Sequence, residues 1–309
     1  MDTQKQIDAA LRVFLAVPRS ERAVLVVSGQ DRMTWLNGLL TCDIGKLGPG
    51  AVAYGLVVGR TGRVVADVVV VVDTERTLLV VPATAVDTLL AHFDHYLVME
   101  DAEVTKGESF EVWEVHGPSA RLAVDAAVAR GGLGGDFNRT GLGGGIVLSP
   151  SELRGDVRGA IERVSVERGA MVGDESGWEA LRLELGIPEF GHDFDESVYP
   201  QEAGLEKTAV SFQKGCYLGQ EVVCMLELRG HVKRRLASLA IDGPLPPKRG
   251  VEVCDASGVR VGEVTSAAAR PGTGHSVALA MVKRAQAEPG VRLSVGGVPA
   301  QVVEPAIRG

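Results

Sequence analysis

Runs of apolar residues broken by glycine punctuate the first third of the chain. The run 23–28 ends at Gly29 and predicts a strand; Asp31 then stands where a helix cap belongs. The helix it predicts carries Trp35, Leu36, Leu39 and Leu40 on one side. Residues 51–58 and 63–73 read as two strands joined by the turn Gly59-Arg60-Thr61-Gly62, with a third short strand at 77–81. Residues 83–97 have helical spacing at Val86, Leu89, Leu90, Phe93 and Leu97.

A similar unit then starts again. Residues 110–115 read as a strand, Gly117-Pro118 opens a helix, and 119–130 is alanine-rich and helical. The glycine-rich stretch 131–145 predicts a loop. It is no dinucleotide fingerprint, because it follows a helix and lacks the glycine spacing. Residues 152–170 have mixed period and give no assignment. Residues 178–186 predict a short amphipathic helix stopped by Gly186 and Pro188. From about Lys233 the texture changes to short strands at 236–241, 251–254, 259–267, 276–282, 291–295 and 298–303. Glycine-bearing turns separate most of them, which predicts a small barrel or sandwich. The pattern divides the chain into an α+β unit over 1–105, a second over 106–232 interleaved with the first, and a β unit over 233–309.

The composition narrows the function classes. The chain has 309 residues, 45% hydrophobic and 23% charged, with a net charge of −8. An acidic molecule of this kind does not attract nucleic acid or anionic membrane. No apolar run approaches the ~20 residues of a membrane helix, and the N-terminus lacks a signal-peptide pattern, so a cytoplasmic protein is expected. The four cysteines, Cys42, Cys216, Cys224 and Cys254, form no close pair. That argues against a disulfide framework and against a self-contained zinc site.

The most specific stretch is Phe212-Gln213-Lys214-Gly215-Cys216-Tyr217-Leu218-Gly219-Gln220-Glu221. A helix starting near Gly219 would turn its positive end toward Cys216, and Lys214 would add a cation. Both favour thiolate over thiol. The plainer reading is a small apolar residue filling a gap. Asp67 lies inside the apolar run 64–72, where a carboxylate is costly unless it is paired or faces a cavity. The alternative is a strand with one solvated face carrying Val65, Asp67 and Val69. Glu184 sits mid-helix, free to pair with Arg182 or Lys207. Arg229, Lys233, Arg234 and Arg235 form a basic cluster without interleaved aromatics. His92 and His95 flank Asp94 on a predicted helix, and His192-Asp193 lies in a polar loop. Neither presents a metal-site pattern.

Residues 214–221 resemble the signature of the YgfZ group. These are folate-binding proteins that support iron–sulfur enzymes and are relatives of the glycine cleavage T-protein. The resemblance extends to Leu181-Arg182-Leu183-Glu184, Gly186-Ile187-Pro188, residues 200–205, Lys233-Arg234-Arg235-Leu236, residues 261–266 and residues 62–67. It implies a three-domain T-protein-like ring around a central folate channel, with a C-terminal barrel. It further implies that Asp67 lies beside the reacting folate nitrogen and that Glu184 accepts from the pterin N–H groups. Lys214, Tyr217, Gln220, Glu221 and Arg229 are the remaining expected folate-site residues, and Cys216 is the distinctive thiol. The expected ligand is tetrahydrofolate or a formyl or methylene derivative, and the expected partners are iron–sulfur enzymes or cluster-assembly proteins. The alternative activity is a tetrahydrofolate-dependent aminomethyltransferase or demethylase. Leu142 and Gly144 stand where the T-protein carries a tyrosine and an acidic residue. Cys224 and Met225 replace an Ala-Arg pair of the YgfZ group.

Overall fold

The computed structural model describes residues 2–107, 110–228, 232–270 and 272–305. One sheet is antiparallel, in the order Val52–Val58, Val64–Val72, Thr77–Pro82, Arg22–Ser28, Glu103–Lys106. A second sheet has the order Met171–Val172, Leu15–Pro18, Phe110–His116, Gly144–Pro150, Leu133–Asp136. Its N-terminal strand Leu15–Pro18 comes from before the first sheet, so the chain passes from the second sheet into the first and back.

The two sheets face each other. Val24, Val69, Val71, Leu78 and Val80 of the first pack against Val112, Ile146 and Leu148 of the second, with Phe137 beside them. The outer face of the first sheet is covered by the helices Arg32–Asn37 and Val86–His95 and by residues of the long segment after 189. The helices Ala120–Val128 and Arg154–Arg168 cover the second. The helix Glu175–Glu184 sits between Thr3–Arg12 and the C-terminal unit, where Leu183 meets Val277 and Leu279. That unit is a closed barrel in the order Arg234–Ile241, His275–Lys283, Arg260–Arg270, Glu252–Cys254, Arg292–Val295, Val298–Val303. Closure leaves it no free sheet edge.

Two expectations need correction, and one unassigned stretch gains an assignment. Residues 131–145 are not a loop throughout, since Leu133–Asp136 and the start of Gly144–Pro150 pair as strands. Glycine serves close approach here. A Cβ on Gly134 would strike the carbonyl of Ile146, and one on Gly135 the carbonyl of Gly50. Residues 154–168 form a helix that the pattern hid, because its buried stripe is only Val157, Ala160, Ile161 and Ser165. Asp31 occupies the cap position of its helix but makes no cap bond. Its carboxylate accepts from the backbone N–H of Asp101 instead, 2.9 Å away. Among the described residues no helix is long and apolar enough to cross a membrane.

Candidate functional site

The three units meet around one cavity of about 540 Å³. The first sheet supplies Val52 and Tyr54, and the segment after Leu133–Asp136 supplies Phe137, Asn138, Arg139 and Thr140. The end of helix Glu175–Glu184 adds Leu185 to Pro188. The segment 204–208 adds Glu206 and Lys207, and the first barrel strand adds Arg235. The rings of Tyr54 and Phe137 lie 6.1 Å apart in a tilted pair. The guanidinium of Arg139 lies 5.6 Å from the Tyr54 ring centre and 5.4 Å from that of Trp178. Arg139 also donates to the carbonyl of Pro188 at 2.7 Å. The wall therefore mixes apolar and aromatic side chains with polar and charged ones, among them Arg139, Glu206, Lys207 and Arg235.

Behind Tyr54 lies Asp67. Its side chain shares the strand face of Val69 and Val71, which the second sheet covers, so the solvated-face alternative does not hold. Asp67 is wholly buried and accepts two bonds from Arg22, at 2.9 and 3.2 Å. The hydroxyl of Tyr54 donates to it at 3.3 Å. Burial, with the Asp67 charge next in weight, holds the Tyr54 phenol well above its ordinary range. Tyr54 is therefore neutral at physiological pH and stands between Asp67 and the cavity.

A larger ion network backs this pair. Glu189 accepts from Arg19 at 2.5 Å, from Arg22 at 3.3 Å and from the indole N–H of Trp178 at 3.2 Å. Arg182 lies 3.4 Å from Glu189 and donates to Asp193 at 2.7 Å. Asp193 thus belongs to the interior, not to the polar loop the sequence suggests. Glu114 accepts from Arg19 at 3.0 Å and lies 3.4 Å from His116. Burial alone would raise the carboxyls of Glu114 and Glu189, but the surrounding guanidinium groups hold both well below the usual carboxylate range.

The remaining expected site residues fall elsewhere. Glu184 does not join Arg182 or Lys207. Arg270 of the barrel holds it in a two-point pair, at 2.7 and 2.5 Å, and it is not among the cavity wall residues. Arg234 pairs with Glu202 at 3.0 Å and Arg235 with Glu206 at 2.7 Å. Arg229 lies outside the described residues.

The 214–221 stretch is a separate place. Lys214 is not the free cation beside Cys216 that its spacing suggests. Its ammonium is buried and donates to the carbonyls of Asn37, Leu40 and Cys42 at 2.7, 2.8 and 2.7 Å. These carbonyls lie at and just beyond the end of helix Arg32–Asn37, so Lys214 ties the loop to the first unit. Burial pulls the Lys214 pKa down, while Cys42 and Asp43 pull it up. Tyr217 is buried in the core of the first unit, with Lys214 5.4 Å from its ring centre. Gly219 has φ +75° and packs where a Cβ would strike the carbonyl of Gly59. It lets the helix Gln220–Leu228 start against the turn after Val52–Val58. Gln220 is half-buried, and its amide donates weakly to the carbonyl of Gly215 at 3.4 Å. Glu221 and Cys216 are exposed.

These placements set the order of thiol reactivity. Cys42 is buried, and burial pushes its thiol up to about 11, against a smaller opposing pull from Lys214. Cys224 and Cys254 are half-buried, and only Cys216 is exposed. Alkylation of the native protein followed by peptide mapping is expected to label Cys216 first and Cys42 last. Equal labelling of all four contradicts the placement.

Sequence reasoning missed Tyr54, Arg139, Glu206, Arg22 and Glu189. Two left a signal: Arg22 opens an apolar strand, and Glu189 stands alone between Pro188 and Phe190.

Comparison with known proteins then adds the family. Residues 20–132 match the GCVT N-terminal domain, and residues 234–307 match the glycine cleavage T-protein C-terminal barrel domain. The aminomethyltransferase of Rubrobacter xylanophilus is 28% identical over 274 residues, covering 82% of this chain and 72% of that protein. The mitochondrial aminomethyltransferase of Flaveria trinervia is 28% identical over 301 residues, covering 88% of this chain and 72% of that protein. Among solved structures, the glycine cleavage system aminomethyltransferase T of Bartonella henselae superposes with a TM-score of 0.81 at 20% identity. The match covers 98% of this chain and 90% of that one, a likeness of fold.

Proposed function

We propose that this chain, which belongs to the glycine cleavage T-protein superfamily, binds a reduced folate in the central cavity and serves iron–sulfur enzymes through the thiol of Cys216. The observation that carries this reading is a separation. Cys216 is exposed and absent from the cavity wall, while the wall brings together aromatic rings and charged groups of the kind a folate could meet. A thiol placed so acts on a partner, not on the ring bound in the cavity.

The cavity residues fit the ligand. Its volume falls within the ~300–1,000 Å³ of small-molecule pockets. Tyr54 and Phe137 offer two aromatic rings inclined to each other, and Arg139 offers a guanidinium held in place by Pro188 and Trp178. Reduced folate supplies a one-carbon carrier when bound. Around it, the Tyr54 hydroxyl donates a hydrogen bond to Asp67 and so keeps a fixed orientation. Iron–sulfur clusters need several thiolate ligands. Among the described residues no group of three or more His, Cys, Asp or Glu could hold a metal ion. The described residues therefore offer no resident-cluster site, and any cluster handled is shared with a partner or between two chains.

A second reading is a tetrahydrofolate-dependent aminomethyltransferase, favoured by the names of the relatives. Asp67 weighs against it. Its charge is already matched by Arg22, and Tyr54 screens it from the cavity. Calorimetry with tetrahydrofolate and its formyl form separates the possibilities. Binding is expected at micromolar strength, about −8 kcal/mol, equal in wild type and Cys216→Ser, without aminomethyl transfer. No heat and no thermal shift at millimolar ligand removes folate from the account. Transfer activity that survives Cys216→Ser promotes the second reading.

A further inference from the structure

We infer that the groove between the helix Arg32–Asn37 and residues 96–100 is where the partner served by Cys216 docks, and that it takes a large apolar side chain flanked by lysine or arginine. This deepens the reading of Cys216 as a thiol that acts on a partner, and rests on it. The groove has a volume of about 570 Å³ and shares no wall residue with the central cavity. Trp35, Leu39, Tyr96 and Leu218 line it, together with Asp31, Thr34 and Glu100. Leu218 joins it to the thiol, since the two residues of chain back to Cys216 span no more than about 7 Å. Its walls are tied together. The Trp35 indole donates to the carbonyl of Tyr96 at 3.0 Å, and the backbone N–H of Leu218 donates to the carbonyl of Gly38 at 2.9 Å. The backbone N–H of Asp31 donates to the carbonyl of Asp101 at 3.0 Å, and that of Asp101 returns a bond to the Asp31 carboxylate at 2.9 Å. The groove is therefore preformed.

The surface around the groove selects the occupant. Val98 and Met99, between the wall residues Tyr96 and Glu100, are 80% and 92% exposed. Their backbone N–H groups both donate to the Glu100 carboxylate, at 3.1 and 3.0 Å, so the turn holds two apolar side chains out in solvent. An apolar patch beside a groove lined by tryptophan and tyrosine has the make-up of an interface centre, where aromatic residues and methionine are enriched. The rim is acidic. Asp31, Glu100 and Asp101 are exposed, and none of them forms an ion pair among the described residues. Arg32 and Arg60 are committed elsewhere. Arg32 donates to the carbonyls of Gly29 and Thr74, and Arg60 donates to the Tyr96 hydroxyl. The complementary segment is thus apolar at its centre and cationic at its flanks, and docking brings it within reach of Cys216.

The probe is a synthetic peptide with a phenylalanine between lysines and a terminal cysteine activated as its pyridyl disulfide, made in both sequence orders. The Cys216 thiolate attacks the peptide sulfur, a mixed disulfide forms and pyridinethione leaves, so the exchange needs no outside oxidant and its rate is read from the absorbance of the thione. Cys216→Ser gives the background, and uncharged dipyridyl disulfide gives the intrinsic reactivity of the thiol. The lysine peptide is expected to react at least about tenfold faster than peptides with alanine for phenylalanine or glutamate for lysine, the lower end of what a charged cleft adds to an encounter. Asp31→Asn and Met99→Ser, both at exposed positions, should each reduce that advantage. Thr34→Arg, also at an exposed position, fills the groove and reverses its charge, so it should abolish the advantage. All three variants should leave the rate with dipyridyl disulfide unchanged. Equal rates for the three peptides in wild type, or an advantage that survives Thr34→Arg, overturn the inference and leave the Cys216 reading standing. A wild-type dimer in sedimentation that Met99→Ser or Thr34→Arg dissolves overturns it too, since a second copy of the chain then covers the groove. If wild type reacts with dipyridyl disulfide no faster than Cys216→Ser, the Cys216 reading fails and this inference falls with it.

Discussion

Replacing Glu189 by leucine is expected to destabilise the whole protein by about 3–5 kcal/mol, the cost of breaking a buried ion network by removing one partner. Glu189 is 4% exposed and serves Arg19, Arg22 and the Trp178 indole, with Arg182 and Arg139 at 3.4 and 3.9 Å. Leucine fills similar volume but strands several guanidinium groups in a low-dielectric interior. The loss is a large part of the ~5–15 kcal/mol that holds a typical domain together. Urea denaturation at pH 7 measures it. The same network makes the wild type acid-labile. The carboxyls of Glu189 and Glu114 are depressed in the folded state relative to their ordinary value of 4.5. Their contribution is therefore fully present above about pH 4.5 and is lost as the pH falls below it toward the folded values. Glu189→Leu should show a shallower fall in stability over that window than the wild type. A variant as stable as wild type at pH 7, or with the same acid dependence, contradicts this account of the network.

How much of this was readable beforehand depended on distance along the chain. Strands such as Val64–Val72 and the six of the barrel announce themselves by local β-branched runs and turns. The helix Arg154–Arg168 did not, because Gly155, Gly159 and a charged surface leave a narrow stripe that no period stands out from. The pair Leu133–Asp136 and Gly144–Pro150 was hidden for the opposite reason. Its glycines look like loop, yet they are what allow the backbones to approach. At the site, Asp67 was conspicuous as a charge in an apolar strand, but its partner Arg22 is 45 positions away. Arg19 and Glu189 are 170 positions apart. No local pattern pairs such residues. The cavity wall likewise gathers five chain segments, so Tyr54, Arg139 and Glu206 carry no shared motif. Lys214 shows the limit of spacing arguments. Two residues from Cys216, it points instead at three carbonyls of the first unit.

Cys216→Ser is expected to leave fold and folate affinity unchanged and to abolish the proposed service to iron–sulfur enzymes. Cys216 is exposed, and a Cβ placed on the neighbouring Gly215 would meet nothing within 4 Å. The loop is open at this point, and what anchors it is Lys214 on one side and the buried Tyr217 on the other. Serine is nearly isosteric with cysteine and disturbs neither anchor. It is, however, a poor nucleophile at neutral pH and a hard oxygen ligand, where iron and sulfur chemistry calls for a soft thiolate. Asp67→Asn is the contrasting variant. It removes a buried charge and turns one of the two oxygens that accept from Arg22 and Tyr54 into an NH2 donor, so folate affinity should fall along with stability. Lys214→Met is the third arm. It frees the three carbonyls and loosens the loop, so it should lower the melting temperature while leaving Cys216 reactive. The measurement is complementation of a strain lacking this protein, read as the activity of an iron–sulfur enzyme, with calorimetry and melting curves on the purified variants. Full rescue by Cys216→Ser, with none by Asp67→Asn, sinks the iron–sulfur reading and leaves folate-dependent transfer as the function.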